Sequence, residues 1–293
     1  MDLDPDLVAL RPLGGFSVLH ALPNAFPHAS TPSPPRPFLT LAHAYAPGHA
    51  PGHAPGHAAA SAPGRRDATS DPQTQTQTQT KTQTQTRAQA RPWEDPLAFR
   101  VQKVAAALRT PETRVAASVA HQGLAARLWS VTLGCAALYG PVPDLAPSLL
   151  RWDPDATAPD DLWLAEVRPL PGDVAAIAEL VLHGHLVPLT AAVHTRYRVA
   201  TGLLWGNAAS ALAGAGRELD RWARRHGRGD TAARARSLTT GLLAHPLLAT
   251  AGALTGTEFR RRSCCLYYRV PGAGVCGDCC FSRPPGSHRS PQP

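Results

Sequence analysis

Five of the six cysteines lie between residues 264 and 280. They read Cys264-Cys265, a ten-residue gap, Cys276, Gly277-Asp278, Cys279, then Cys280. A Cys-x-x-Cys turn lets two thiolates converge on one metal, and Gly277 relaxes that turn. Pro271-Gly272-Ala273-Gly274 reverses the chain between the two halves, so the first pair can approach the second. Four soft thiolates around one centre suit zinc or an iron–sulfur cluster. The first half is not the usual zinc knuckle, because adjacent side chains point apart on an extended strand. A local turn is needed for both to bind, and a centre with two metal atoms tolerates that better than one tetrahedral ion.

The flanks of this segment carry charge and aromatic surface. Arg260, Arg261, Arg262 and Arg269 surround the thiols, where guanidinium groups favour a more reduced, more negative centre. The same arginines can dock an acidic electron donor or an anionic substrate. Tyr267 and Tyr268 can shield the centre from water. Cys280 is read as a buried or spare thiol, with a pairing through it left open by the spacing, and Cys135, alone in an apolar helix, as core.

These residues need a scaffold, and the sequence supplies a mainly helical one. Leu7–Leu22, broken at Gly14-Gly15, reads as a short strand or hairpin. Apolar residues at helical spacing over Leu97–Leu108 end before Pro111. Val115–Tyr139 is alanine-rich and predicts one or two helices stopped by Gly140-Pro141. Leu162–Val167 reads as a strand. Val174–Leu182 reads as a helix capped by Asp173, and His185–Trp205 as one or two more. Asn207–His226 is amphipathic with arginines at its end, as the helix dipole favours; Thr231–Leu243 follows. Polar or aromatic groups within these apolar helices, namely His121, Arg127, Trp129, Trp205 and Asn207, are core packing on the simplest reading. Trp205 and Asn207 are also kept as candidates for contact with substrate or redox partner. The expected fold class is α+β, predominantly α-helical, with a small C-terminal cysteine-rich loop region.

The domain reading follows. Residues 1–22 open the main domain, 92–257 form its helical body, 258–281 hold the metal centre, and 282–293 form a Pro-, Ser- and Arg-rich disordered tail. Residues 23–91 read as a disordered low-complexity insertion. Three Ala-Pro-Gly-His copies and a Gln-Thr alternation broken by Lys81 bury too little apolar surface to offset the entropy of ordering them. His49, His53 and His57 in the repeats read as incidental linker residues.

The formal charge is +8, almost all of it arginine. No nucleic-acid motif and no basic stripe with interleaved aromatics accompanies it, so nucleic-acid binding is not expected. The acidic opening Met1-Asp2-Leu3-Asp4-Pro5-Asp6 lacks the basic and apolar regions of a secretory signal, and no uninterrupted apolar run reaches the length of a membrane span. A cytoplasmic location is expected, where clustered thiols stay reduced and read as metal ligands.

The adjacent cysteines, the ten-residue gap and the closing Cys-x-x-Cys resemble the C-terminal signature of FhuF-type ferric-siderophore reductases. RRSCCLYYRVPGAGVCGDC resembles the actinobacterial branch, as do VAASVAHQGLAARLWS (Val115–Ser130) and LWGNAASALA (Leu204–Ala213). The resemblance covers the opening segment and Trp93 to the cysteines, and not the 23–91 insertion. It implies a 2Fe–2S cluster on Cys264, Cys265, Cys276 and Cys279. It further implies one-electron reduction of ferric iron in a hydroxamate-type siderophore, with re-reduction by an unidentified ferredoxin, flavodoxin or flavin reductase. Two other classes compete: a binding module with structural zinc, and an iron or redox sensor whose cluster gates a partner.

Overall fold

Proline and glycine set the limits of the long helices. The computed structural model describes residues 7–22, 39–46 and 94–285. The chain enters through a 3-10 turn, Val8–Leu13, and strand β1 (His20–Ala21); β2 (Leu39–Thr40) runs directly into α1 (Leu41–Tyr45). Helix α2 (Pro96–Ala107) has proline at its first position, and the Asp95 carboxylate accepts the Ala98 N–H at 3.0 Å. That cap satisfies a donor the helix leaves open. Helix α3 (Thr113–Leu138) follows, then β3 (Val142–Pro143), β4 (Leu150–Trp152), β5 (Leu162–Leu164) and β6 (Pro169–Leu170). Helix α4 (Val174–Ile177) is capped by Asp173, which accepts the Ala176 N–H at 2.9 Å. It passes without a break through π-helical Ala178–Leu186 into α5 (Val187–Tyr197). Helices α6 (Thr201–Arg225) and α7 (Gly229–Leu243) precede the hairpin β7 (Gly252–Thr255) and β8 (Glu258–Arg261).

Helix α3 is the axis of the molecule. It is apolar on nearly every face and buried for most of its length, as expected of a helix surrounded by others. Its main partner is α6, whose small residues allow close approach; the Trp129 indole N–H on α3 donates to the Ala208 carbonyl at 3.1 Å. Helix α7 packs against both α3 and α6, meeting α6 at Gly216, where an added Cβ would lie 2.2 Å from Thr239 Oγ1. The strands form a small mixed sheet in the order β1-β5-β4-β2, with β1 parallel to β5 and the other pairs antiparallel. Arg127 ties this sheet region to α3. Its Nε donates to Asp161 at 2.8 Å, and its Nη atoms donate to the Phe16 and Pro159 carbonyls.

The α+β, mainly helical reading holds, and most helices fall where periodicity placed them. Three expectations need correction. Leu7–Leu22 does supply a short strand, His20–Ala21, but Val8–Leu13 is a 3-10 turn and makes no hairpin with it, because Pro12 lacks the N–H that a central ladder position requires. Helix α6 begins at Thr201 rather than Asn207, since Trp205-Gly206 continues its buried face. The segment 39–46, expected within an unstructured insertion, contributes Leu41 and Ala44 to the core with no exposure. The Ala-Pro-Gly-His copies, the Gln-Thr run and residues 286–293 lie outside the described residues. The expected boundary at 257/258 falls in the turn of the β7–β8 hairpin.

Tyr45 shows what that short segment holds. Its hydroxyl donates to His185 Nδ1 at 2.8 Å, and His185 Nε2 lies 2.6 Å from the Leu145 carbonyl. A carbonyl only accepts, so Nε2 carries the proton and the ring is neutral. Burial lowers the His185 pKa to about 4, against the weaker opposing pull of the Leu145 carbonyl. The unfolded chain therefore binds a proton that the folded one refuses. Stability is full above the unfolded value of 6.5 and falls as pH drops toward 4. Urea midpoints are expected to drop between pH 6.5 and pH 5, with His185 contributing about 2 kcal/mol; His185→Gln removes that share and leaves the similar share of the buried, neutral His121.

The continuous rod Val174–Tyr197 is long and apolar enough to cross a membrane by length and composition, which no run in the sequence was expected to be. Ile177, Val181, Leu182, Leu186, Leu189 and Val193 along it are all core residues, and a core helix passes the same measure.

Candidate metal centre

The cysteine segment is held against α3 and α6 by the β7–β8 hairpin. Alternation along β8 sends Phe259 and Arg261 inward and Glu258 and Arg260 outward, the period-two rule of a half-buried strand. Past β8 the chain must turn twice to gather its thiols. Leu266 adopts a left-handed conformation at φ 68°, and its N–H donates to the Cys264 sulfur at 3.2 Å. This is the local turn that adjacent cysteines require. The Ala273 N–H then donates to the Val270 carbonyl at 3.0 Å across Pro271-Gly272, with Gly272 at φ 75°. Proline followed by a positive-φ glycine is what a type II turn needs. The Cys279 N–H closes the last turn on the Cys276 carbonyl at 3.1 Å.

The thiols approach in pairs. Cys265 and Cys276 share a hydrogen bond with their sulfurs 3.4 Å apart. That bond lowers the Cys265 pKa to about 7 against the opposing effect of burial, and it pushes Cys276 well up, where burial adds to it. Cys264 is raised by burial, with the nearby Cys280, Cys279 and Cys276 sulfurs adding to the effect. The Cys279 sulfur accepts the Phe281 N–H at 3.4 Å. Among the described residues, no three His, Cys, Asp or Glu side chains surround one point as ligands of a single ion. Cys135 lies fully buried in α3, its pKa pushed up by burial, so it is core as read from the sequence.

Arg261 tests whether an anionic cluster fits here. Its side chain is 2 % exposed, and two of its donors, Nε and Nη1, have no hydrogen-bond partner among the described residues. Nη2 donates to the Asn207 side-chain oxygen. No carboxylate among the described residues pairs with this guanidinium, and a buried cation without an anion costs several kcal/mol. The guanidinium favours the thiolate forms of both Cys265 and Cys276. A negatively charged thiolate-bound group is the partner this arrangement lacks, and backbone N–H groups already directed at sulfur suit it as well.

Asn207 is the bridge behind Arg261. Its amide nitrogen donates to the Ser118 carbonyl at 2.9 Å and to the Ser118 hydroxyl at 3.0 Å, and that hydroxyl donates to the Cys265 carbonyl at 2.8 Å. Helices α3 and α6 thus hold the first cysteine pair through three side chains. Gly206 permits the approach, since a Cβ there would lie 2.3 Å from the Ser263 hydroxyl. Asn207→Ala strips an acceptor from Arg261 and a donor from Ser118. Metal-free protein carrying it is expected to unfold about 2 kcal/mol more easily in urea.

The other candidates separate by position. Arg260 and Arg262 are exposed, and Arg260 donates to the Cys280 carbonyl at 3.3 Å. Arg269 forms a two-point ion pair with Glu112 at the start of α3, both contacts at 2.9 Å. Trp205 is partly buried against the core. His121 is fully buried and lies 3.2 Å from the Thr190 hydroxyl; burial, reinforced by Arg261, lowers its pKa to about 3 and keeps it neutral. Tyr268 packs edge-on against Phe281 over the segment; Tyr267 is partly buried.

Sequence reading missed Ser210, Arg217 and Asp278. The buried Asp278 carboxylate accepts the Ser210 hydroxyl at 2.6 Å and pairs with Arg217 at 3.5 Å, fastening the second cysteine pair to α6. The signal was a carboxylate inside the Cys-x-x-Cys turn, where only small residues are otherwise needed. Beside it opens a cleft of about 530 Å³ between the Leu13–Ser17 turn, α3, α6 and Cys276–Asp278, which no sequence pattern announced.

Residues 261–281 match the FhuF 2Fe-2S C-terminal domain. The matched span holds all five C-terminal cysteines and Arg261, so the C-terminal segment is of the FhuF type and its cofactor is a 2Fe–2S cluster. No curated protein matches the chain.

Proposed function

We propose that this protein is a cytosolic iron–sulfur oxidoreductase that reduces ferric iron in a bound hydroxamate-type siderophore. The observation that carries the reading is the buried Arg261, which has no carboxylate partner among the described residues, set against Cys265 and Cys276 inside the segment of FhuF type. Cys264, Cys265, Cys276 and Cys279 are the proposed ligands. A 2Fe–2S cluster held by them supplies one electron at a time, and ferrous iron matches hard hydroxamate oxygens worse than ferric iron does, so the metal is released. The chain's own residues prepare that step. Asn207 and Ser118 fix the first cysteine pair, Asp278 with Ser210 and Arg217 fixes the second, and Arg261 favours the more negative state of the centre. The exposed Arg260 and Arg262 offer a basic face to an acidic electron donor such as a ferredoxin or flavodoxin, or to a flavin reductase.

The test is an ultraviolet–visible spectrum of anaerobically purified protein before and after dithionite, with iron and zinc assayed on the same sample. A brown protein holding about two irons per chain that bleaches on reduction, and recovers its colour on mixing with a ferric hydroxamate, is the expected result. Stoichiometric zinc and no cluster after anaerobic reconstitution would overturn it in favour of a structural site. An intact cluster that leaves ferric hydroxamates unreduced would overturn it in favour of a sensor.

A further inference from the structure

We infer that Arg196 is a clasp that holds together the two points at which residues 47–93 leave and rejoin the fold, so that the domain is complete without them. The clasp is independent of the chemistry at the metal centre.

Arg196 touches both ends. Its Nη1 donates to the Asp95 carboxylate at 2.8 Å, just past the point of return, and its Nη2 donates to the carbonyl of Ala46, just before the point of exit. Both nitrogens belong to one planar guanidinium, so the two ends lie only a few ångströms apart. The ion pair is largely shielded, with Arg196 15 % and Asp95 30 % exposed, which sets it above the solvated pairs that contribute little. Each partner is fixed before it reaches the clasp. On the exit side, Leu39 and Thr40 pair with β4, the Ala42 N–H donates to the Pro147 carbonyl at 3.2 Å, and Tyr45 holds His185. On the return side, Asp95 caps α2, whose Leu97 and Val101 are core residues. Arg196 stands in the last turn of α5, where a cation suits the helix dipole, and Leu189 and Val193 anchor that helix in the core. All of these anchors lie outside residues 47–93.

So narrow a gap calls for a short connection. Helices in contact, as α1 and α2 are, are usually joined by about two to eight residues. The chain uses far more, and the Ala-Pro-Gly-His copies and the Gln-Thr run fall within the excess. Loop closure grows costlier only with the logarithm of length, so a long excursion is tolerated once its base is held. That is the work the structure gives to Arg196.

The test compares the anaerobically purified full chain with chains in which residues 47–93 are replaced by a Gly-Ser linker of about four or about ten residues. Each is made with and without Arg196→Met, which keeps much of the apolar length of arginine and removes both contacts. The shortened chains with Arg196 intact are expected to keep the visible absorption of the full chain and a urea midpoint at least as high. Amide exchange over α1, read by mass spectrometry, should accelerate by about tenfold or more in the full chain carrying Arg196→Met. The same substitution should accelerate it clearly less in the shortened chains, where the linker itself keeps the ends together. A lower midpoint or a lost absorption with both linkers would mean that residues 47–93 complete the fold, and overturns the inference. Unchanged exchange over α1 in the full chain, or equal acceleration in full and shortened chains, overturns the clasp.

Discussion

Replacing Cys265 or Cys276 with serine abolishes or grossly alters the visible absorption of anaerobically purified protein, while Cys280→Ser leaves it largely intact. The two sensitive positions are the ones whose sulfurs already meet, 3.4 Å apart, across the turn made by Pro271 and Gly272. Cys265 is held in place through Ser118 and Asn207, and Cys276 through the neighbouring Asp278 with Ser210 and Arg217, so loss of either sulfur removes a ligand from a fixed position. Serine is nearly isosteric, so the fold should survive and metal content alone should change; iron assayed per chain is the check. Cys280 differs because it is only partly buried and its carbonyl, not its thiol, is engaged by Arg260. It does neighbour Cys264 and Cys279, so the opposite result has a clear meaning. If Cys280→Ser loses the iron and Cys279→Ser keeps it, the ligand set shifts by one residue.

What the sequence disclosed about this centre, and what it hid, follows from range. Turns are local: proline before a positive-φ glycine at Pro271-Gly272, and the need for a bend after Cys265, were both readable from neighbouring residues. Helix periodicity was equally readable over Leu97–Leu108 and Val115–Tyr139, where apolar spacing and terminating prolines or glycines act within a few residues. Arg261 was legible only as one of four arginines. Its burial depends on the alternation of β8, and that hairpin was not placed, although Gly256-Thr257 between Leu254 and Phe259 offered a turn signal. Asn207 and Ser118 meet because α3 and α6 cross there, 89 positions apart in sequence, and no pattern in either helix encodes the crossing. Leu41 and Ala44 were lost for a different reason. Five residues of helix inside a composition that otherwise argues against order carry too little periodicity to stand out. The cleft is the extreme case, assembled from a turn near residue 15, two helices and the cysteine turn.

Arg261→Leu lowers the reduction potential of the cluster by about 100 mV, and Arg261→Lys by less than half of that. A cluster gains one unit of negative charge on reduction, so a fixed cation nearby favours the reduced state. At an effective dielectric of about 20, a guanidinium about 6 Å from the centre would give a preference near 3 kcal/mol, or about 120 mV for one electron. Of the four flanking arginines only Arg261 qualifies at this scale. Arg260 and Arg262 are exposed and screened by solvent, and Arg269 is neutralised by Glu112. Potentiometric titration followed by visible absorption reads the shift directly. A purely structural role is separated by the metal-free protein. Leucine there removes a buried cation with no paired carboxylate among the described residues, which should leave apo stability unchanged or raised, whereas a scaffold role would lower it. A potential that stays put with the cluster intact would mean that the charge is spent on holding Asn207 and not on the electron.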